Sequence, residues 1–236
     1  ELDYNDVSAV NFNLLNMGVL GISGRSHAGK SNFVKNIIYN ADKYSGEFPV
    51  NIAIIDSIQR KYESFKSYKT VTDYSILPEQ ISEIINSWYE ELENRYKMLI
   101  NGQDSNFAKL PLLMLVIHNN DVLNIISENK ELLEKYKTMI TKYKAMKIFV
   151  IFSNIDNAMV SYSSPEVLKM LKESRQFMIF EDLDNFKIFD IPLSASRNYK
   201  KPIEIGDGYY IKENDIKKLK TTLFSVRETE EVLLGW

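Results

Sequence analysis

Gly24-Arg25-Ser26-His27-Ala28-Gly29-Lys30-Ser31 fills every fixed position of a phosphate-loop signature, and its two flanks decide the fold. Before it, Val19-Leu20-Gly21-Ile22-Ser23 reads as a short apolar strand; after it, Phe33, Val34, Ile37 and Ile38 fall on one side of a helix running from Ser31 to Ile38. Strand, glycine loop and helix are the context in which successive backbone N–H groups and a helix N-terminus turn toward an anion. Gly24 and Gly29 supply the curl, Lys30 a point charge for the outer phosphates, and Ser31 a hydroxyl within reach of a magnesium ion. Arg25, Ser26, His27 and Ala28 are the variable positions of the cradle, and His27 reads as one of these rather than as a ligand. The expected cofactor is ATP with magnesium.

Outward from the loop, strand and helix signals alternate. Asn51 to Ile55 is a buried-strand run ending at Asp56-Ser57, and Leu112 to Ile117, after Pro111, is a continuous apolar run suited to a central strand covered on both faces. Ile148 to Phe152 makes a fourth strand with Ser153-Asn154 at its tip, and Phe177 to Phe180 a fifth. Between them, Ile81, Ile84, Ile85, Trp88, Leu92, Tyr96 and Leu99 recur at helical spacing from Pro78 to Ile100, with Gly102 as the stop. Two charged helical stretches are expected over 121–136 and 138–144, and Ser164-Pro165-Glu166 should cap and open another helix. Ile203-Glu204-Ile205 and Tyr209-Tyr210-Ile211 around Asp207-Gly208 read as a closing hairpin, and the glutamate-rich last dozen residues as a helix or a docked tail. The expected fold is α/β: a mostly parallel central sheet with helices on both faces and a C-terminal hairpin, its ligand at the carboxyl ends of the strands.

Composition narrows the function classes. A chain of 236 residues, 44% hydrophobic, suits one large domain spanning 1–236. With no cysteine and only His27 and His118, disulfides, thiolate metal sites and a histidine metal centre are all disfavoured, and a reducing cytosolic setting is expected. The net charge is −3, and the basic residues fall in scattered groups: Lys142 and Lys144, Lys200 and Lys201, Lys217 with Lys218 and Lys220. They read as solvated faces, so nucleic acid is not an expected partner. No run approaches the ~20 apolar residues of a membrane span, so this segment is not expected to insert directly into a membrane. A chain opening at Glu1 rather than methionine reads as a piece of something longer. Trp88 and Trp236 are taken as packing residues.

Which strand carries the catalytic acid is ambiguous by pattern alone, where Ile52 to Asp56 fits "four apolar, then aspartate" better than Leu112 to His118 does. The order of motifs resolves it. Ile54-Ile55-Asp56, Tyr62-Glu63 and Glu91-Leu92-Glu93-Asn94-Arg95-Tyr96-Lys97 resemble the second strand and following helix of the FtsK/SpoIIIE family of RecA-like motors. Ile151 to Asn154 is similar to that family's strand ending in Thr-Gln, and Gly206 to Tyr210 to its late hairpin; the likeness spans roughly 12 to 220. The resemblance implies a RecA-like P-loop NTPase fold in which the strand after Asp56 carries the Asp-Glu pair, and here that strand ends in His118-Asn119.

The substitutions have a chemical cost. Aspartate at 118 would help hold magnesium and glutamate at 119 would polarise the attacking water. Neutral histidine and asparagine do neither, and losing a general base costs ~10²–10⁴-fold in rate. Intrinsic ATPase is therefore expected to be negligible, unless Asp121 or Asp56 substitutes and His118 is merely a core-edge residue capped by Asn119. Ser153-Asn154 reads equally as a γ-phosphate sensor or as an ordinary cap. Arg175 falls near a family arginine, with a surface salt bridge as the preferred role.

A degenerate module of this kind is similar to the C-terminal ATPase module of type VII secretion coupling proteins of Firmicutes, the EssC/EccC group. That resemblance implies the cytoplasmic part of a longer, multi-domain bacterial membrane protein. Its partners would be other ATPase modules of the same polypeptide, in a ring oligomer in the full protein, and small helical WXG100-type secretion substrates. The module would contribute to substrate recognition and regulate neighbouring motors. The rivals are an active DNA translocase of the same family and an interaction scaffold that has lost nucleotide, which 14 tyrosines and 12 phenylalanines permit.

Overall fold

The computed structural model describes residues 10–159, 164–199 and 203–225. In chain order the elements are β1 (Gly18–Gly24), α1 (Lys30–Lys43), β2 (Val50–Ile55), β3 (Val71–Ser75), α2 (Ile81–Ile100), α3 (Asp104–Ala108), β4 (Leu112–Ile117), α4 (Asp121–Glu128), α5 (Lys130–Ile140), β5 (Ile148–Ile155), α6 (Glu166–Ser174), β6 (Gln176–Phe180), α7 (Leu193–Ser196), β7 (Asp207–Lys212) and β8 (Asp215–Lys220). Among the described residues the strands form one sheet in the order β3-β2-β4-β5-β1-β6-β7-β8. Every pairing from β3 to β6 is parallel, and β7 and β8 close the edge as an antiparallel hairpin.

Period-two alternation sends side chains to two separate cores. Leu113, Leu115 and Ile117 of β4 join Ala53, Ile55, Val150 and Phe152 beneath α2, α4, α5 and α6. Met114, Val116, Ile52, Ile54, Leu20 and Ile22 pack instead on Phe33, Val34 and Ile38 of α1, with Tyr62 and Phe65 from the β2–β3 connection. All six residues of β4 are buried, which is why its sequence is an unbroken apolar run.

α2 ends as its sequence implies. Gly102 adopts φ +69°, Gly102 N–H donates to Leu99 O (3.1 Å) and Gln103 N–H to Met98 O (3.0 Å), a Schellman closure. Arg95, from the Glu-x-x-x-Arg run that carried the family resemblance, is 1% exposed; its guanidinium donates to Glu91 Oε1 (2.8 Å), Pro111 O (2.8 Å) and Met146 O (3.1 Å). It ties α2 to the entry of β4.

Several expected elements are placed differently. The helical region after β4 breaks at Asn129, not near residue 137, because the Asn129 side chain accepts from Leu132 N–H (3.1 Å) and opens α5. Pro165 occupies the position before α6, and the Val167 N–H is capped by Ser127 Oγ of α4 (3.1 Å) rather than by Ser164. β5 continues through Ser153-Asn154 to Ile155, so these two lie inside the strand. β3 has no counterpart in the sequence reading. The closing hairpin exists but turns at Glu213-Asn214, with Glu213 at φ +57°, and Asp207-Gly208 lies inside β7. Gly208 is there for close approach: a Cβ would sit 2.5 Å from Met178 Cε and 3.1 Å from Ile179 O. Asp207 pairs across the hairpin with Lys218 (3.3 Å) and Lys220 (2.9 Å). Lys200, Lys201, Trp236 and all but the first of the last dozen residues lie outside the described residues.

Candidate nucleotide site

The phosphate loop leaves β1 at Gly24 (φ +136°) and enters α1 through Gly29 (φ +119°), with His27 also left-handed at φ +59°. Gly24 is irreplaceable on space alone, since a Cβ would lie 2.6 Å from the Phe180 backbone. Arg25, Ser26 and His27 face solvent and Ala28 is buried. Lys30 Nζ turns back on its own loop, donating to Gly24 O (2.5 Å) and Arg25 O (2.9 Å). Burial lowers the Lys30 pKa, while Glu181 and Asp156 oppose that shift. These two carboxylates, following β6 and β5, also weaken the loop's pull on an anion. The Glu181 carboxyl is itself pushed up by burial, with Lys30 opposing. Neither acid was singled out from sequence.

The loop is braced from the hairpin side. Gly206 N–H donates to Ala28 O (3.0 Å) and the Arg25 guanidinium to Ile203 O (2.8 Å). Thr221 N–H donates to Gly206 O (2.8 Å), and from there the chain crosses α1: Asn32 and Asn36 both donate to Thr222 O (2.7 Å), and Phe224 N–H donates to Asn32 Oδ1 (2.6 Å).

The catalytic half is built otherwise. In the sheet β5 lies between β1 and β4, so residues at the ends of β4 and β5 stand beside the loop, and Asp56 at the end of β2 is one strand further out. His118 is buried, and its Nδ1 shares a hydrogen bond with Ser153 Oγ (2.7 Å). Burial lowers the His118 pKa; Asp56 opposes that shift, and Lys61 and Lys30 reinforce it. Asn119 Oδ1 accepts from Asp121 N–H (3.0 Å), opening α4, and Asn154 contributes its carbonyl to Asn120 Nδ2 (2.9 Å). Asp56 is fully buried and committed: Oδ1 accepts from Ser57 N–H (2.8 Å), Oδ2 from Tyr62 N–H (2.7 Å) and Tyr74 O–H (3.1 Å).

Tyr62, fully buried, fills the space between these groups. Its ring meets His118 edge-on at 5.2 Å, and its hydroxyl faces those of Ser31 and Ser153 without reaching hydrogen-bond geometry with either. Burial pushes the phenol pKa up. In the sequence this residue stood out only as part of the Tyr62-Glu63 pair that helped carry the family resemblance, with no role in the site. The described residues contain no group of three or more acidic or histidine side chains able to hold a metal ion.

Among the described residues Arg175 makes no salt bridge. It is left-handed (φ +47°) at the start of β6, stacks on Phe189 at 5.0 Å, and donates to Asp190 O (3.1 Å) and Glu213 O (3.4 Å), at the opposite end of the sheet from the loop. Trp88 is buried in the core under α2.

The same architecture occurs in known proteins. The chain superposes on EssC (ATPases 2 and 3) of Geobacillus thermodenitrificans with a TM-score of 0.68 at 20% identity, covering 92% of this chain and 39% of that one. EccC (ATPases 2 and 3) of Thermomonospora curvata, solved in complex with a signal sequence peptide, gives 0.67 at 12% identity, over 92% and 39% of the two chains. The pCW3 conjugation coupling protein TcpA, solved with ATPγS, gives 0.62 at 14% identity, over 92% and 63%. At these identities the likeness is one of fold, a RecA-like P-loop ATPase fold, and the chain spans about two fifths of the length of the EssC and EccC chains. No protein-family model matches the sequence. No curated protein matches it either.

Proposed function

We propose that residues 1–236 form a degenerate ATPase module of a type VII secretion coupling protein, one that holds ATP at Gly24 to Ser31 and does not hydrolyse it. The observation that carries this reading is that β4 runs into His118 and Asn119, not into a pair of acids, and that both already have protein partners. His118 shares its Nδ1 with Ser153, Asn119 Oδ1 accepts from the Asp121 N–H at the start of α4, and both oxygens of Asp56 are taken by the 57–74 segment. The carboxylates that remain near the loop, Glu181 and Asp156, follow β6 and β5 and face Lys30 rather than ending β4. The loop keeps what binding requires: open N–H groups, a helix N-terminus, and Lys30 held only by carbonyls it can exchange for phosphate oxygens. Glu181 and Asp156 make the expected affinity modest.

Such a module regulates by occupancy. A ligand that binds one arrangement of the module better than another shifts its neighbours without turnover. The partners proposed are the other ATPase modules of the same polypeptide, in a ring in the full protein, and small helical WXG100-type substrates; the signal peptide seen on EccC supports the second. The setting proposed is the cytoplasmic side of a bacterial membrane, and no helix among the described residues is long and apolar enough to cross one. Titration of ATP into the chain and into Lys30→Ala tests the site. Lys30→Ala is expected to lose binding by about 100-fold or more while melting normally, since losing a charge-assisted phosphate contact costs about 3 kcal/mol. Equal affinity in the two proteins would refute it.

A further inference from the structure

This inference rests on the loop holding nucleotide and concerns what stands beside it. Ser31 Oγ is the atom that would ligate a divalent cation in a phosphate loop. Here it is faced by the Tyr62 hydroxyl, a buried donor that meets no acceptor at hydrogen-bond geometry. A buried hydroxyl left unpaired is costly and calls for an explanation.

The ring is held in place from several directions. The Tyr62 backbone N–H is fixed by Asp56 Oδ2 at 2.7 Å, its ring meets His118 edge-on at 5.2 Å, and His118 is held in turn by Ser153 at 2.7 Å. Three residues on, Phe65 is buried and stacks on Phe224 at 5.4 Å and Tyr68 at 4.9 Å, anchoring the segment against the chain that crosses α1. The ends of β2 and β4 offer no free carboxylate to a cation, because Asp56 is saturated by three donors and position 118 is a buried histidine, while Glu181 and Asp156 face Lys30. Magnesium therefore does not fit beside Ser31, contrary to the sequence expectation. What stands there instead is an O–H group, which like a metal ion presents its positive end to an oxygen lone pair.

We propose that Tyr62 takes the place of the metal ion, so that this loop binds the phosphate groups of a nucleoside triphosphate without a divalent cation, using loop N–H groups, Lys30 and the Tyr62 hydroxyl. Cation-free binding also explains why the acid strand can end in His118-Asn119 while the loop stays complete.

The test is calorimetric titration of ATP into the full chain in magnesium buffer and again in EDTA, with Lys30→Ala as the blank. The two affinities are expected to agree within about twofold. Tyr62→Phe keeps the ring and its packing, and is expected to weaken ATP about 5- to 10-fold in both buffers. An affinity about tenfold or more lower in EDTA overturns the inference and leaves the nucleotide-holding reading intact. Unchanged binding in Tyr62→Phe overturns the role of the hydroxyl. Absence of ATP binding in both buffers overturns the inference and the reading beneath it.

Discussion

At the scale of single residues, Asp56 shows how a carboxylate in a catalytic-looking position can be purely architectural. Its two oxygens accept three hydrogen bonds from the segment that delivers Tyr62, and the group is inaccessible to water. Asp56→Ala leaves buried donors unpaired at about 1–3 kcal/mol each, so a loss of about 3–5 kcal/mol in urea unfolding is expected. A loss under about 1 kcal/mol would show that the 57–62 turn holds itself. His118 gives a pH signature. Burial disfavours the charged imidazole in the folded chain, so as pH falls through the ordinary value of 6.5 the unfolded chain takes up the proton first. Stability from this group is complete above about pH 6.5 and declines below it. Urea midpoints compared between the wild type and His118→Asn should converge toward acid; parallel curves would mean His118 charges freely when folded.

At the scale of elements, legibility followed burial. β4 was readable because both faces are covered and its sequence is continuously apolar, and β2 because only Asn51 interrupts its apolar run. β3 was not, because Val71-Thr72-Asp73-Tyr74-Ser75 is an edge strand with exposed Thr72 and Asp73, and only the parallel partner β2 makes it a strand. The hairpin was found but misplaced, since Asp-Gly is a strong turn signal and nothing in one sequence reveals that Met178 and Ile179 crowd Gly208 from the neighbouring strand. Gly208→Ala is therefore expected to cost about 1–3 kcal/mol by thermal melting, where an ordinary turn glycine with negative φ would tolerate alanine. An unchanged melting temperature would place the turn back at Asp207-Gly208. The break at Asn129 escaped for a related reason: one N-cap side chain outweighed a periodicity that ran on past it.

At the scale of the whole molecule, the loop is one layer of a closed system. α1 starts at Lys30, the hairpin entry reaches Ala28 and Arg25, and the stretch from Thr221 to Phe224 crosses α1 and stacks on Phe65. Of the site, the strand–loop–helix around Gly24 to Lys30 and the strand ending at His118 were legible in the sequence. Tyr62, Glu181 and Asp156 were not, because strand order rather than spacing brings them to the loop. The shared architecture with EssC, EccC and TcpA accounts for the sheet. The central claim is that ATP is held and not turned over. The most direct measurement incubates the chain with γ-labelled ATP, isolates the protein and identifies the nucleotide that comes off. The account predicts intact ATP on the protein and no released phosphate above the Lys30→Ala control; recovery of ADP with stoichiometric phosphate would contradict it.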